Sequence, residues 1–109
     1  MERALFVYTT FPDEETALAT GERIVASGLA ACVNVVPGMR SVYRWKGAVE
    51  RGLEAIAIFK TREGLGEEVR AAIRERHPYE TPIILFLPLA GGDSATLAWI
   101  MGETGGTAS

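Results

Sequence analysis

The side chains of this chain that could do chemistry are concentrated in two segments. One is His77-Pro78-Tyr79-Glu80, which holds the only histidine. Imidazole is the commonest protein ligand for copper and zinc and titrates near neutrality. With Glu75, Tyr79 and Glu80 beside it, His77 is the candidate metal ligand; the competing reading is a packed or helix-capping histidine. The other segment is Ala31–Gly47, which holds the only cysteine, Cys32, with Asn34, Tyr43 and Trp45. A catalytic thiol needs a base within reach and an electropositive, accessible setting. Only His77 could supply the base, so Cys32 reads instead as a small buried hydrophobe. Asn34 falls on the same strand side as Cys32. A buried amide left unpaired costs ~1–3 kcal/mol, so Asn34 is expected to bond backbone at the sheet or at an interface. Tyr43 and Trp45 alternate onto one hairpin face with Ser41, which suits interface anchors. Arg44 and Lys46, on the other face, are placed to pair with Glu50 and Glu54 across the turn. No phosphate loop, paired-carboxylate signature or nucleophile elbow is present, and the chain is expected not to be an enzyme.

Composition bounds the partners. The chain has 109 residues, which suits one compact domain. Its 14 acids against 11 bases give a net charge of -3, and the bases are scattered along the sequence. A nucleic-acid binder needs a basic stripe, so nucleic acid is not an expected partner. One cysteine excludes an intramolecular disulfide and a zinc site of the Cys-x-x-Cys type. The longest purely apolar run, Ile83 to Leu87, is strand length, far short of the ~20 residues of a membrane span. Met1-Glu2-Arg3 lacks the form of a signal peptide, so a cytoplasmic protein is expected.

The elements that must position these residues follow from periodicity and breakers. Ala4 to Thr10 reads as a strand, stopped by Phe11-Pro12. Asp13 caps a helix to about Ser27, with Ala17, Gly21, Ile24, Val25 and Gly28 facing the sheet. Gly21 is expected to permit close packing, and Gly28 to end the helix in the left-handed conformation. Leu29 to Val36 reads as a second strand, bent at Pro37-Gly38 and continued from Met39 to Lys46. Glu50 to Thr61 is a third strand, and a second helix spans about Glu63 to Arg76, ended by Pro78. Ile83 to Leu87 is the fourth strand, and Ser94 caps a last short helix. Residues 1–101 form the domain, and 102–109 are expected to be a loose tail. The order is that of an α+β, ferredoxin-like split βαβ fold, βαββαβ plus a short C-terminal helix. One sheet face stays too apolar for water, and the long hairpin overshoots the domain. Both features favour a closed homo-oligomer.

The residues that carry a resemblance are Leu29-Ala30-Ala31-Cys32-Val33-Asn34, Pro37-Gly38 and Ser41-Val42-Tyr43-Arg44-Trp45-Lys46-Gly47. Further along come Glu54, Lys60-Thr61, His77-Pro78-Tyr79-Glu80 with Pro82, and Trp99-Ile100. By these the chain resembles the CutA family of divalent-cation-tolerance proteins, from about Leu5 to Ile100. The resemblance implies a tight homotrimer, similar to the PII signalling proteins, in which extended β-hairpins pair between subunits. It also implies a role in the response to metal ions, with copper or another divalent cation as a possible ligand and no cofactor required. The candidate cleft or interface residues are Asn34, Tyr43, Arg44, Trp45, Lys60, Tyr79, Glu80 and Trp99. Copper ligation suggested for some members uses a cysteine near the end of strand one and two adjacent histidines. Those positions are Thr9, Arg76 and His77 here, so one of the three donors is kept. Ile83 and Thr96 also depart from the pattern, where Glu and Tyr are usual. The alternative is a PII-like sensor that binds a small anionic ligand at subunit clefts through Lys60, Arg44 and Tyr79.

Overall fold

The computed structural model describes residues 2–105. Its elements are β1 Ala4–Phe11, α1 Glu14–Ala26, β2 Cys32–Trp45, β3 Ala48–Arg62, α2 Gly66–Arg76, β4 Ile84–Pro88 and α3 Ser94–Gly102, with a 3-10 turn at Glu63–Leu65 before α2. The four strands form one antiparallel sheet in the order β2-β3-β1-β4. This is the ferredoxin-like arrangement that the element order implies.

Alternation decides which side chains meet the helices. Leu5, Val7 and Phe11 of β1 and Ala55, Ala57 and Phe59 of β3 lie in one core with Ala17 and Ile24 of α1 and Val69 and Ile73 of α2. Asp13 caps α1 as read, its Oδ1 accepting from the Thr16 N–H at 2.7 Å. Gly21 performs the expected close approach: a Cβ there would stand 2.6 Å from Val33 Cγ1 on β2. Gly28 follows α1 with φ +83°, a conformation glycine adopts without steric cost.

The opposite face carries Phe6 and Tyr8 of β1, Ile56, Ile58 and Lys60 of β3, Cys32 and Asn34 of β2, and Leu85 and Leu87 of β4. Neither main helix covers it. Only the corner around Ala4 is closed, by Leu97, Ala98 and Met101 of α3. Beyond Ala55 the β2–β3 hairpin leaves β1 behind, because β1 pairs with residues 55–62 only. This overhang draws the molecule out to 46 × 26 × 21 Å.

Several expectations are corrected. β1 runs on through Phe11, which is fully buried rather than a strand stop. β2 begins at Cys32 and passes Pro37-Gly38 unbroken: the register steps from Val36↔Ile56 to Met39↔Glu54, so β2 spends one more residue than β3. That is a bulge, which bends a strand without ending it. The α3 cap is Asp93, whose Oδ2 accepts from the Ala95 N–H at 3.2 Å, and Ser94 is already helical. Arg44 and Lys46 make no ion pair among the described residues. Arg44 lies opposite Val49 and Tyr43 opposite Glu50, so the acids share the tyrosine face and point away from Arg44. Lys46, at φ 49° in the turn, instead holds its Nζ 5.7 Å from the Trp45 ring centroid.

The loose tail expected at 102–109 is tied down as far as 105. Gly102 belongs to α3, and Thr104 is 1% exposed. Arg62 holds this end: it donates to the carbonyls of Met101 (2.5 Å) and Thr104 (2.8 Å) and to Thr104 Oγ1 (3.1 Å), and pairs with Glu2 at 3.1 Å. A cation on the last carbonyls of a helix satisfies groups that the helix leaves open. Residues 106–109 of the expected tail lie outside the described residues.

Candidate functional site at the root of the hairpin

Glu54 is the first residue of β3 beyond the reach of β1, and it sits opposite Met39 just past the bulge. Its half-buried carboxylate takes two hydroxyls. Oε1 accepts from Ser41 Oγ at 2.8 Å, and Oε2 accepts from the Tyr79 hydroxyl at 2.9 Å. Ser41 thus comes from the far side of the bulge and Tyr79 from the segment after α2. Tyr43, two residues on from Ser41, lies over Gly52, with its Cε1 3.4 Å from where a Cβ would be.

Tyr79 is aimed by His77. Pro78 ends α2, and His77 takes an extended conformation (φ -78°, ψ 132°) that turns its ring back onto the sheet. The Tyr79 N–H donates to His77 Nδ1 at 3.2 Å, which leaves the ring proton on Nε2, 2.6 Å from the Thr10 carbonyl. The ring stacks on Phe11 with centroids 4.4 Å apart and 18° between planes. Burial pushes the imidazole pKa down, against the Thr10 carbonyl and the Glu54 charge, so this histidine is neutral at neutral pH. Burial first, then the bond to Glu54, pushes the Tyr79 hydroxyl up to about 12. A hydroxyl that holds its proton so firmly acts as a donor, not as a base.

The other predicted residues do not converge on this point within one chain. Lys60 is six residues along β3 from Glu54, about 20 Å away. It faces Cys32 and holds its Nζ 6.0 Å from the Phe6 ring centroid. Trp99 is half exposed on α3, at the Lys60 end of the sheet. Asn34 lies opposite Ile58 on the uncovered face; it is exposed in the single chain and not buried as expected. Arg44 and Glu80 are exposed, and Tyr43 and Trp45 are half exposed. Cys32 is half-buried beside Lys60, four residues along the sheet and two strands across from the Thr10 carbonyl that holds His77, about 16 Å. The pairing a thiol enzyme would need is absent from these positions.

No group of three or more His, Cys, Asp or Glu that could hold a metal occurs among the described residues. Both nitrogens of His77 are engaged, and Thr9 is fully buried on the helix side with its hydroxyl unpartnered. Arg76 is exposed. One chain alone therefore does not present a fitting donor set for a cation. Ser41, central to this geometry, and Arg62, which clamps the end of α3 at the other end of β3, were not singled out as site residues by sequence reasoning. Glu54 had a readable signal, a carboxylate between Leu53 and Ala55 in an apolar strand. Arg62 had none, because its acceptors are backbone carbonyls far along the chain.

Comparison with known proteins identifies the family and the fold. Residues 5–103 match the family model described as CutA1 divalent ion tolerance protein. The divalent-cation tolerance protein CutA of Thermus thermophilus is 38% identical over 99 residues, which cover 91% of this chain and 96% of that protein. Its structure superposes with a TM-score of 0.90, covering 94% of this chain and 99% of that one, at 37% identity. The crystal structure of CutA1 from Oryza sativa gives a TM-score of 0.91 at 36% identity, with 95% of both chains covered. The Arabidopsis thaliana protein named "Protein CutA, chloroplastic" is 39% identical over 101 residues, and this chain, matched over 93% of its length, spans 56% of that relative. On the matched length, the identity and the superposition, the chain belongs to the CutA1 divalent ion tolerance protein family.

Proposed function

We propose that this chain works as a homotrimer in the cellular response to divalent metal ions, as a binding or scaffold protein with no catalytic step and no required cofactor. The observation that carries the reading is the uncovered sheet face. Leu85 is 56% exposed and Leu87 46%, in register with Tyr8 and Phe6 of β1. Tyr43 and Trp45 carry the same side out onto the hairpin, and β2 is an unpaired sheet edge. An apolar face running into an open edge is a surface that proteins cover. Light scattering after size exclusion tests the assembly. The expected mass is three times the 11.8 kDa chain; a monomeric mass at micromolar concentration overturns it.

Copper or another divalent cation is the ligand of this reading, and His77 is its one imidazole donor. To bind, His77 must release Tyr79 or Thr10, which makes the binding weak. Calorimetric titration of copper into wild type and His77→Ala is expected to show weak binding that the variant loses. Identical isotherms would remove His77 as a ligand. A cytoplasmic setting belongs to the same proposal; fractionation of cells carrying the full gene checks it.

The second reading, a PII-like sensor of a small anion, is favoured by one observation. Lys60 and Trp99 stand at one end of the uncovered face and Tyr79 at the other, so only neighbouring copies could bring them into one cleft. Arg44 is on the opposite hairpin face from Ser41 and Glu54, and does not join Tyr79 within the chain. Thermal-shift measurements with nucleotides and carboxylates test it, and no rise in melting temperature removes it.

A further inference from the structure

The bases that are scattered in sequence are gathered by the register of the hairpin. On the face turned away from Tyr43 and Trp45, Arg40 pairs with Leu53, Val42 with Arg51, and Arg44 with Val49. The result is a checkerboard of three arginines and three aliphatics. Val42 is 72% exposed, Val49 66% and Leu53 63%, the highest values among the large hydrophobics. Arg40, Val42, Arg51 and Leu53 line a shallow groove. None of the three arginines forms an ion pair among the described residues. No acid lies on this face, since Glu50 and Glu54 belong to the other one. The face continues the helix side of the sheet, but the helix layer stops at Ala55, which is 1% exposed, and Leu53 is already open. It is therefore separate from the uncovered face on which the proposed assembly rests.

We infer that this hairpin face docks an acidic polypeptide segment of a partner protein, with carboxylates interleaved among aliphatic side chains. Three unpaired positive charges in a chain of net charge -3 select an acidic partner over a neutral one. Guanidinium forks receive carboxylates in bidentate pairs. The exposed Val42, Val49 and Leu53 give the contact an apolar centre, which a purely ionic ligand would leave wet. Single-stranded nucleic acid would want aromatic platforms among the bases, and Tyr43 and Trp45 are on the opposite face.

The test is fluorescence anisotropy of a labelled ten-residue peptide alternating glutamate and leucine, titrated with the full-length protein. Wild type is expected to bind it, with affinity falling as salt rises, and to ignore the same peptide with lysine for glutamate. The triple variant Arg40→Gln, Arg44→Gln, Arg51→Gln is expected to lose about tenfold or more in affinity. A triple Arg→Lys variant should retain part of it, and Val42→Ser with Leu53→Ser should weaken binding at unchanged charge. All these side chains are exposed, so the fold survives the changes. No binding by wild type, unchanged affinity in the Gln variant, or tighter binding of oligothymidylate than of the acidic peptide each overturns the inference. So does a drop in the Gln variant's mass by light scattering, because the face would then be a contact between copies of this chain.

Discussion

His77 is more informative as a positioning residue than as a bare donor. Its ring joins three segments: Phe11 by stacking, Thr10 by a hydrogen bond, and Tyr79 through its backbone N–H. The Tyr79 bond requires an unprotonated Nδ1, so charging the ring breaks it. Burial holds the folded pKa below the ordinary 6.5. The unfolded chain then binds the proton more readily, and stability must fall as the medium becomes more acid. The contribution is complete above pH 6.5 and is lost as pH falls through the folded value. Urea unfolding at a series of pH values between 7.5 and 5 is expected to show this loss. A His77→Gln protein should show a shallower slope over that window. A tyrosine N–H donor two residues beyond a histidine leaves no trace in composition or periodicity, which is why the sequence pointed to ligation and the geometry to this clasp.

At the scale of elements, periodicity, apolar runs and breakers located every helix and strand, because α1 and α2 are amphipathic, β4 is a short apolar run, and Pro, Gly or Asp stands near the ends of most elements. Ends were less legible where the stabilising group is remote. Phe11 looked like a stop beside Pro12, yet its ring is needed under His77. The last residues looked loose because they are small, yet Arg62 gathers their carbonyls from β3. Replacing Arg62 by Met removes those bonds and the helix-end charge. A loss of about 1–2 kcal/mol is expected from bonds of this kind in a partly exposed setting. Hydrogen exchange should show α3 opening ahead of the sheet, and uniform exchange would contradict the clamp. Gly21→Ala is a sharper test of packing. Helix propensity favours alanine by about 1 kcal/mol. The new Cβ, however, stands 2.6 Å from a valine methyl on a rigid strand, and overpacking costs about 1–3 kcal/mol. Net destabilisation is expected in denaturant unfolding, the reverse of what a solvent-facing helical glycine would give.

For the whole molecule, the sheet has two faces whose fates differ. One is sealed by α1 and α2, the other is covered by neither, and the hairpin carries both beyond the body of the domain. The sequence made this division legible through alternation alone, but not the parity of the hairpin's outer half. That parity depends on the bulge between Val36 and Met39. Up to Val36 the even residues of β2 look toward the uncovered side; from Met39 onward the odd ones do. The bulge is thus a frameshift written into the sheet. Downstream of it, Ser41, Tyr43 and Trp45 are read in one frame, and Arg40, Val42 and Arg44 in the other. Removing Gly38 alone would only take out the extra residue: Met39 would continue an unbroken ladder from Val36, still opposite Glu54, and both messages would keep their sides. A single residue inserted between Met39 and Arg40 would instead exchange them: Arg40 and Arg44 would move to the uncovered side, Ser41 would lose Glu54, and on the proposed assembly the insertion protein is expected to run at a smaller mass than wild type. Insertions between the bulge and Trp45 are tolerable only in pairs, a rule that no single substitution in the hairpin would reveal.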